Sequence, residues 1–202
     1  MGVHLRRSSG EGLNRMPLRP DYPVRTDRLH LRPLNETDVP ALLSYHSRPD
    51  VHQFLPMEPM DVDGVLQRLR HGLWSRSTLE EEAEILFLGV ELVATGELIG
   101  DMMLRWLSAK DQCGEIGYVI NPAHGGNGYT TEAAHSILQL AFNDLGLHRM
   151  IARIDPRNTA SIRLAERLGM RREAHLIQNH WHKDGWADEV DFALLRDEWN
   201  PG

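Results

Sequence analysis

The sequence predicts a mixed α/β domain, a sheet carrying helices on its faces. Two observations predict it. Apolar residues alternate in several short stretches and recur at helical spacing in others. The order then reads strand, two helices, three strands, helix, strand, helix, two strands. The length of 202 residues suits one domain with a tail. A chain this long buries enough surface to need neither metal nor disulfide for stability.

Residues 1–22 are rich in Gly, Ser, Arg and Pro and show no apolar periodicity. They read as a flexible, mildly basic arm ahead of a single domain over 23–200. In 28–34 apolar residues fall at 29, 31 and 34, a strand pattern. A short helix follows through Val39, Leu42, Leu43 and Tyr45, with Asn35 or Thr37 as its cap. Three prolines make 47–60 a loop, and Val62, Val65, Leu66, Leu69 and Leu73 give 61–75 one apolar helical face. The acidic run 80–84 reads as a solvated loop or helix end. Strands over 85–92 and 97–107 form a hairpin around Thr95-Gly96.

A strand over 115–120 stops at Asn121-Pro122. A helix over 129–145 closes at Gly146, a strand spans 148–154, and a helix over 158–168 stops at Gly169. Two strands around 171–182 and 188–196 end the domain, with Gly185 and Trp186 in the turn between them.

Composition excludes several classes. Hydrophobic residues at 41% and charged residues at 25% exclude a disordered, collagen-like or coiled-coil chain. The longest apolar runs, such as 85–88, are too short to cross a bilayer. Lys and Arg number 22 against 29 Asp and Glu, a formal charge of −7. General nucleic-acid binding needs the opposite sign. The single cysteine, Cys113, cannot form an internal disulfide, and Asp111 and Glu115 disfavour its thiolate. Arg6 and Arg7 are not followed by an apolar stretch, so no secretory leader is read and the expected location is the cytoplasm, away from membranes.

The informative stretch is 117–133. A strand ends, a loop with Gly125, Gly126 and Gly128 follows, and a helix starts at Tyr129. Free N–H groups and the positive end of the helix dipole make such a junction an anion site, even in an acidic protein. A phosphate-binding Walker loop needs Lys-Ser/Thr after its last Gly, and here Tyr129 stands there. A dinucleotide fingerprint needs Gly at 131, where Thr131 stands. A ligand-free turn is the alternative.

The pattern Asn121-Pro122-x-x-x-Gly126-x-Gly128-Tyr129-x-Thr131-Glu132-Ala133 resembles the acetyl-CoA loop of the GNAT acetyltransferases. The run 155–170, with Asn158, Ser161 and Leu168-Gly169-Met170, resembles their second signature. Arg25-Thr26-Asp27-Arg28-Leu29-x-Leu31-Arg32 and the run 180–188 are similar to the RimJ/RimL subgroup, which acetylates ribosomal-protein N-termini. The resemblance covers 24–199. It implies a mixed, mostly antiparallel central sheet of about seven strands with helices on both faces, and acetyl transfer from acetyl-CoA to an amine. Four positions depart from the family pattern: Ala123 replaces Gln or Arg, Gly125 an aromatic, Asn127 a Lys or Arg, and Thr130 an Ala. Phosphate contacts would then be mostly main-chain.

The resemblance assigns the cofactor to Tyr118, Val119, Ile120, His124, Gly125, Gly126, Asn127, Gly128, Tyr129, Thr130, Asn158, Ser161, Arg163 and Arg167. Thr130 would touch phosphate or cap the helix. Asn158 would hold the pantetheine amide or act as a plain N-cap. Arg163 and Arg167 would meet phosphates or solvent.

The acceptor amine must lose a proton before attack. Glu115 is the first candidate for the base and His180 the second; for each the alternative is a plain strand side chain. Ser161 is the candidate donor to the leaving thiolate, unless it only satisfies a backbone N–H. A strand N–H in 118–120 would stabilise the tetrahedral intermediate. Trp181 and Trp186, with loop 47–60, would wall the acceptor pocket or serve as plain packing. His175, His180 and His182 lie near one another and 180 and 182 would share a strand face, but a metal site would need a third ligand with the right geometry, so no metal is expected. The acceptor is an amine: a ribosomal-protein N-terminus first, then an aminoglycoside, polyamine or amino acid. A CoA-binding module without catalysis is a third reading. A monomer or homodimer is expected.

Overall fold

A computed structural model of the chain describes residues 17–200. Eight strands form one sheet: β1 (Val24–Arg25), β2 (Leu29–Pro33), β3 (Ile85–Leu92), β4 (Leu98–Ser108), β5 (Cys113–Ile120), β6 (Arg149–Ile154), β7 (Arg171–His182) and β8 (Gly185–Leu195). Their spatial order is β1-β2-β3-β4-β5-β6-β8-β7. Every neighbouring pair is antiparallel except β5–β6. The expected mostly antiparallel sheet is present, with eight strands rather than about seven, because the short edge pair β1–β2 adds one.

Four helices flank it: α1 (Val39–His46), α2 (Val62–Arg70), α3 (Tyr129–Gln139) and α4 (Thr159–Arg167). The Asp61 side chain caps α2 by accepting from Gly64 N, and Asn158 caps α4 by accepting from Ser161 N. Asn35 is the cap expected upstream of α1, but it closes a separate short turn over Glu36–Asp38. Helix α3 widens over Leu140–Asp144, where Leu145 N donates to the Leu140 carbonyl five residues back, and Gly146 at φ 68° ends it.

Two cores result. The larger joins β2–β6 and β8 to α3 and α4 through Leu86, Leu104, Ile116, Ile137, Phe142, Met150 and Phe192. The smaller lies on the other face, where Leu42, Tyr45, Val65, Leu69 and Trp74 pack against Leu34 and Leu98. That second layer stops at β5. Beyond it the same face carries Arg105, Glu115, Arg153, Glu189 and Asp191, whose charges lie close enough to interact.

Two boundaries differ from the sequence reading. Leu18, placed in the flexible arm, is 2% exposed and pairs main chain to main chain with Leu79. The Tyr22 hydroxyl donates to the Ser77 carbonyl and Arg19 pairs with Glu80. Order therefore begins before Val24, and the remaining arm residues, 1–16, lie outside the described residues. Gly185 and Trp186 belong to β8, not to the turn, because Lys183 in the left-handed region (φ 51°) closes a tighter one.

Candidate active site

Strands β5 and β6 begin side by side and then part. They pair at Cys113↔Arg149, Gly114↔Met150 and Glu115↔Ile151, and not beyond. On its other edge β5 stays paired with β4 as far as Ile120. Asn121 N donates to the Ile99 carbonyl, which fixes the phase of that ladder. Odd-numbered residues of β5 therefore bond to β4, and the main-chain groups of Tyr118 and Ile120 point into the gap. The cleft so formed has a volume of about 120 Å³. Its walls include Gly117, Tyr118, Ile154, Asn158 and Ser161, with Phe54 and Leu55 across it.

The glycine loop sits at the end of β5. Asn121 accepts from Ala123 N, and Pro122–His124 makes one tight turn. Gly126 (φ 80°) and Gly128 (φ 79°) occupy the left-handed region, where a side chain is strained. The first turn of α3 leaves its N–H groups without helical partners, so they face whatever lies before the helix. This cradle fits the pyrophosphate of acetyl-CoA. Asn127 donates to the His124 and Gly125 carbonyls, so it ties the loop rather than reaching an anion. The His124 ring is held at Glu97, at 3.2 Å. Thr130 makes no helix cap, since the Gly128 cap position has no side-chain bond.

Arg28 was not singled out from the sequence, and it braces this loop. Its guanidinium donates to the Asn127 carbonyl and to Glu132, and it stacks over the Tyr129 ring at 4.7 Å. Glu132, in the first turn of α3, also accepts from Thr26 at 2.5 Å and from Arg28 N. Burial works against the Glu132 carboxylate, but these hydrogen bonds hold it below the usual carboxylate range. The only sequence signal for this bond was the Arg28 position within the family-like run 25–32; its partner lies 104 residues away.

On α4, Asn158 and Ser161 line the cleft. Asn158 spends its carbonyl as the N-cap, as one reading expected. The Tyr118 hydroxyl donates to the Ser161 carbonyl at 3.4 Å, so two hydroxyl residues meet there. Burial pushes the Tyr118 phenol up, which keeps it protonated. Arg163 and Arg167 are exposed and take no ion-pair partner among the described residues.

Glu115 sits on the last rung shared by β5 and β6, one residue before the cleft wall begins at Ile116, and it does not itself line the cleft. Burial pushes its carboxyl up, while Arg153 and Arg105, each 4.0 Å away, pull it down without cancelling the effect. His180 lies along the same face, its Nδ1 4.0 Å from Glu189 and without a hydrogen-bond partner. It does not line the cleft. Trp181 and Trp186 do not line this cleft, although Trp186 lines a separate pocket with Gln53 of loop 47–60 and Arg157. They alternate with His180 and His182 along the hairpin, stack on each other at 5.6 Å, and are 62% and 61% exposed. Phe54 and Leu55 of loop 47–60, the other part of that expectation, do line the cleft. Burial also pushes the Cys113 thiol up, consistent with an inert residue. Among the described residues no helix is long and apolar enough to cross a membrane.

The family model of the acetyltransferase (GNAT) domain matches residues 28–171. A curated relative, the "Uncharacterized N-acetyltransferase YnaD" of Bacillus subtilis, is 31% identical over 88% of this chain and 99% of its own length. A spermidine N(1)-acetyltransferase of Vibrio cholerae is 22% identical over 85% of this chain and 95% of its own. The crystal structure of a GNAT-family acetyltransferase from Bacillus anthracis superposes with a TM-score of 0.77 at 29% identity, covering 86% of this chain and 98% of that one.

Proposed function

The chain belongs to the acetyltransferase (GNAT) family and is an acetyl-CoA-dependent N-acetyltransferase; we propose that its acceptor is a protein N-terminal amine presented on the open face of β5–β8. The observation that carries this reading is the parting of β5 from β6 after Glu115. The gap opens where β5 runs on toward the glycine loop, and below it the sheet face without a covering helix bears the half-buried carboxylates Glu115, Glu189 and Asp191, close enough to interact. A face without a covering helix admits an extended chain, and its carboxylates suit a basic N-terminus such as that of a ribosomal protein.

When bound, acetyl-CoA supplies the thioester whose acetyl group is transferred. The N–H groups of 126–130 and the start of α3 would hold its phosphates, with Arg163 and Arg167 as the cationic side chains. Main-chain groups of Tyr118 and Ile120 would hold the pantetheine arm and the thioester carbonyl. Glu115 takes a proton from the acceptor ammonium, directly or through water, so that the free amine attacks the thioester, and its raised pKa brings it nearer to the working pH. The Ser161 or Tyr118 hydroxyl gives a proton to the departing sulfur. His180 is the second base, placed farther from the gap.

A second reading is acetylation of a polyamine. It is favoured by the spermidine-acetylating relative and by the same acidic face. Incubating the protein with acetyl-CoA and a panel of N-terminal peptides, spermidine and an aminoglycoside, read by mass spectrometry, separates the two. Acetylation of spermidine but of no peptide sinks the first.

A further inference from the structure

One titratable cluster lies outside this chemistry, buried beneath α1. His46 is 1% exposed, His52 0% and Asp101 2%. The His46 Nε2 lies 2.8 Å from the Asp101 carboxylate, and its Nδ1 lies 3.3 Å from the His52 Nε2. The His52 Nδ1 lies 3.1 Å from the Met57 carbonyl. The Tyr45 hydroxyl donates to the same Asp101 oxygen at 2.9 Å.

The proton count of this chain is fixed by its ends. The Met57 carbonyl can only accept, and an ionised Asp101 can only accept. Between them run three links, and each link needs one proton. Two neutral imidazoles carry two. Completing the chain takes a third, shared between His46 and Asp101, and that proton also balances the buried carboxylate. Burial pushes the His52 imidazole down, which places the extra proton at the other end of the chain. The other groups facing the cluster are the Trp74 ring at 4.8 Å from His46, the Lys183 ammonium on the His52 carbonyl, and Asp38 behind Tyr45, which is already paired with Arg32.

The cluster grips the segment that walls the cleft. His52 anchors the turn Val51–Phe54 from below. From the β7–β8 turn, Lys183 donates to the His52 carbonyl at 3.0 Å and His182 lies 3.0 Å from the Gln53 carbonyl. Phe54 and Leu55 follow directly and face Tyr118, Asn158 and Ser161 across the cleft.

We propose that Asp101, His46 and His52 together hold a third proton that fixes segment 51–57, making His46 and His52 positioning residues for the acceptor-side wall of the cleft. The consequence for turnover rests on the proposed amine acetylation; the proton count does not. Asp101→Asn keeps the shape but removes the charge that the third proton balances. Tyr45→Phe removes a donor and leaves the three links intact.

The first test is nitrogen-detected imidazole NMR with carboxyl-carbon shifts on the full chain at about pH 7. Three protons on the set are expected; two neutral imidazoles beside an ionised Asp101 overturn the proposal. The second is amide hydrogen exchange over 51–57, corrected for intrinsic rates. In the wild type, protection should fall at least about ten-fold as pH rises from about 6 to about 9. In Asp101→Asn it should be lost already at the lower pH and stay flat, while Tyr45→Phe follows the wild type. A pH-independent wild-type profile, or equal loss in both variants, overturns the positioning role. Neither test uses an acceptor, so a failure of the proposed acceptor is read separately from the peptide and spermidine panel.

Discussion

The two sides of the cleft are built in different ways. The proposed cofactor side is a run of consecutive residues, 121–132, whose proposed working groups are main-chain N–H donors at a helix start. The proposed acceptor side is assembled from side chains on separate elements: Glu115 on β5, Arg153 on β6, Glu189 and Asp191 on β8, His180 on β7, and Phe54 and Leu55 from a loop. One side is specified by local backbone geometry, the other by which distant strands end up adjacent. The first should therefore respond to changes in backbone freedom and the second to changes in charge.

The largest expected effect tests the acceptor side. Glu115→Gln keeps the shape of the proposed base and removes its proton-accepting charge. We expect kcat to fall about 10²–10⁴-fold while the acetyl-CoA Kd stays within about two-fold. In the wild type, activity should decline as pH falls through a value above the usual carboxylate range, because burial raises the Glu115 pKa. The variant should lose that acid limb. A variant that keeps the limb moves the base to His180 or to water.

Gly126→Val is the matching test of the cofactor side. A Cβ at Gly126 would meet nothing within 4 Å, so the fold should tolerate it. The cost lies in φ 80°, which a β-branched residue resists by about 1–3 kcal/mol. That converts to a Kd for acetyl-CoA weaker by about ten- to a hundred-fold by calorimetry, with melting little changed. Unchanged affinity would show that the loop does not hold the phosphates. Arg28→Ala should act in the same direction but less, about three- to ten-fold, because Asn127 still ties the loop from within.

The same contrast explains what could be read from the sequence. Glycines at 126 and 128 before a helical pattern announce a left-handed loop at a helix start, because the geometry is local and only a few residue types permit it. The N-cap at Asn158 was legible for the same reason. The Arg28–Glu132 brace was not, because it joins residues 104 positions apart. Nor was the parting of β5 from β6, which depends on pairing that periodicity does not encode. Trp181 and Trp186 illustrate the limit: being aromatic near the site said nothing about which face of a two-residue repeat they would take. Leu18 shows the converse, one apolar residue in a polar stretch that the core nonetheless takes up.

The smallest effect is on stability, and the two sides should move in opposite directions. Glu132 on the cofactor side has a depressed pKa, so its contribution is present above the unfolded carboxylate range and is lost as pH falls through the folded value. Glu115 on the acceptor side has a raised pKa, so the folded state binds its proton more tightly and ionisation costs stability as pH rises. Glu132→Gln should therefore lower Tm at neutral pH by about 2–4 °C, and by less in acid, where wild-type Glu132 has also lost its charge. Glu115→Gln should leave Tm at neutral pH unchanged or slightly higher, with any gain fading as pH falls. Calorimetric scans of both variants across that range give the sign directly. A drop in Tm of the same size in both would mean that Glu115 is held by Arg105 and Arg153 as a structural ion pair, and would remove the physical reason for its role as the base.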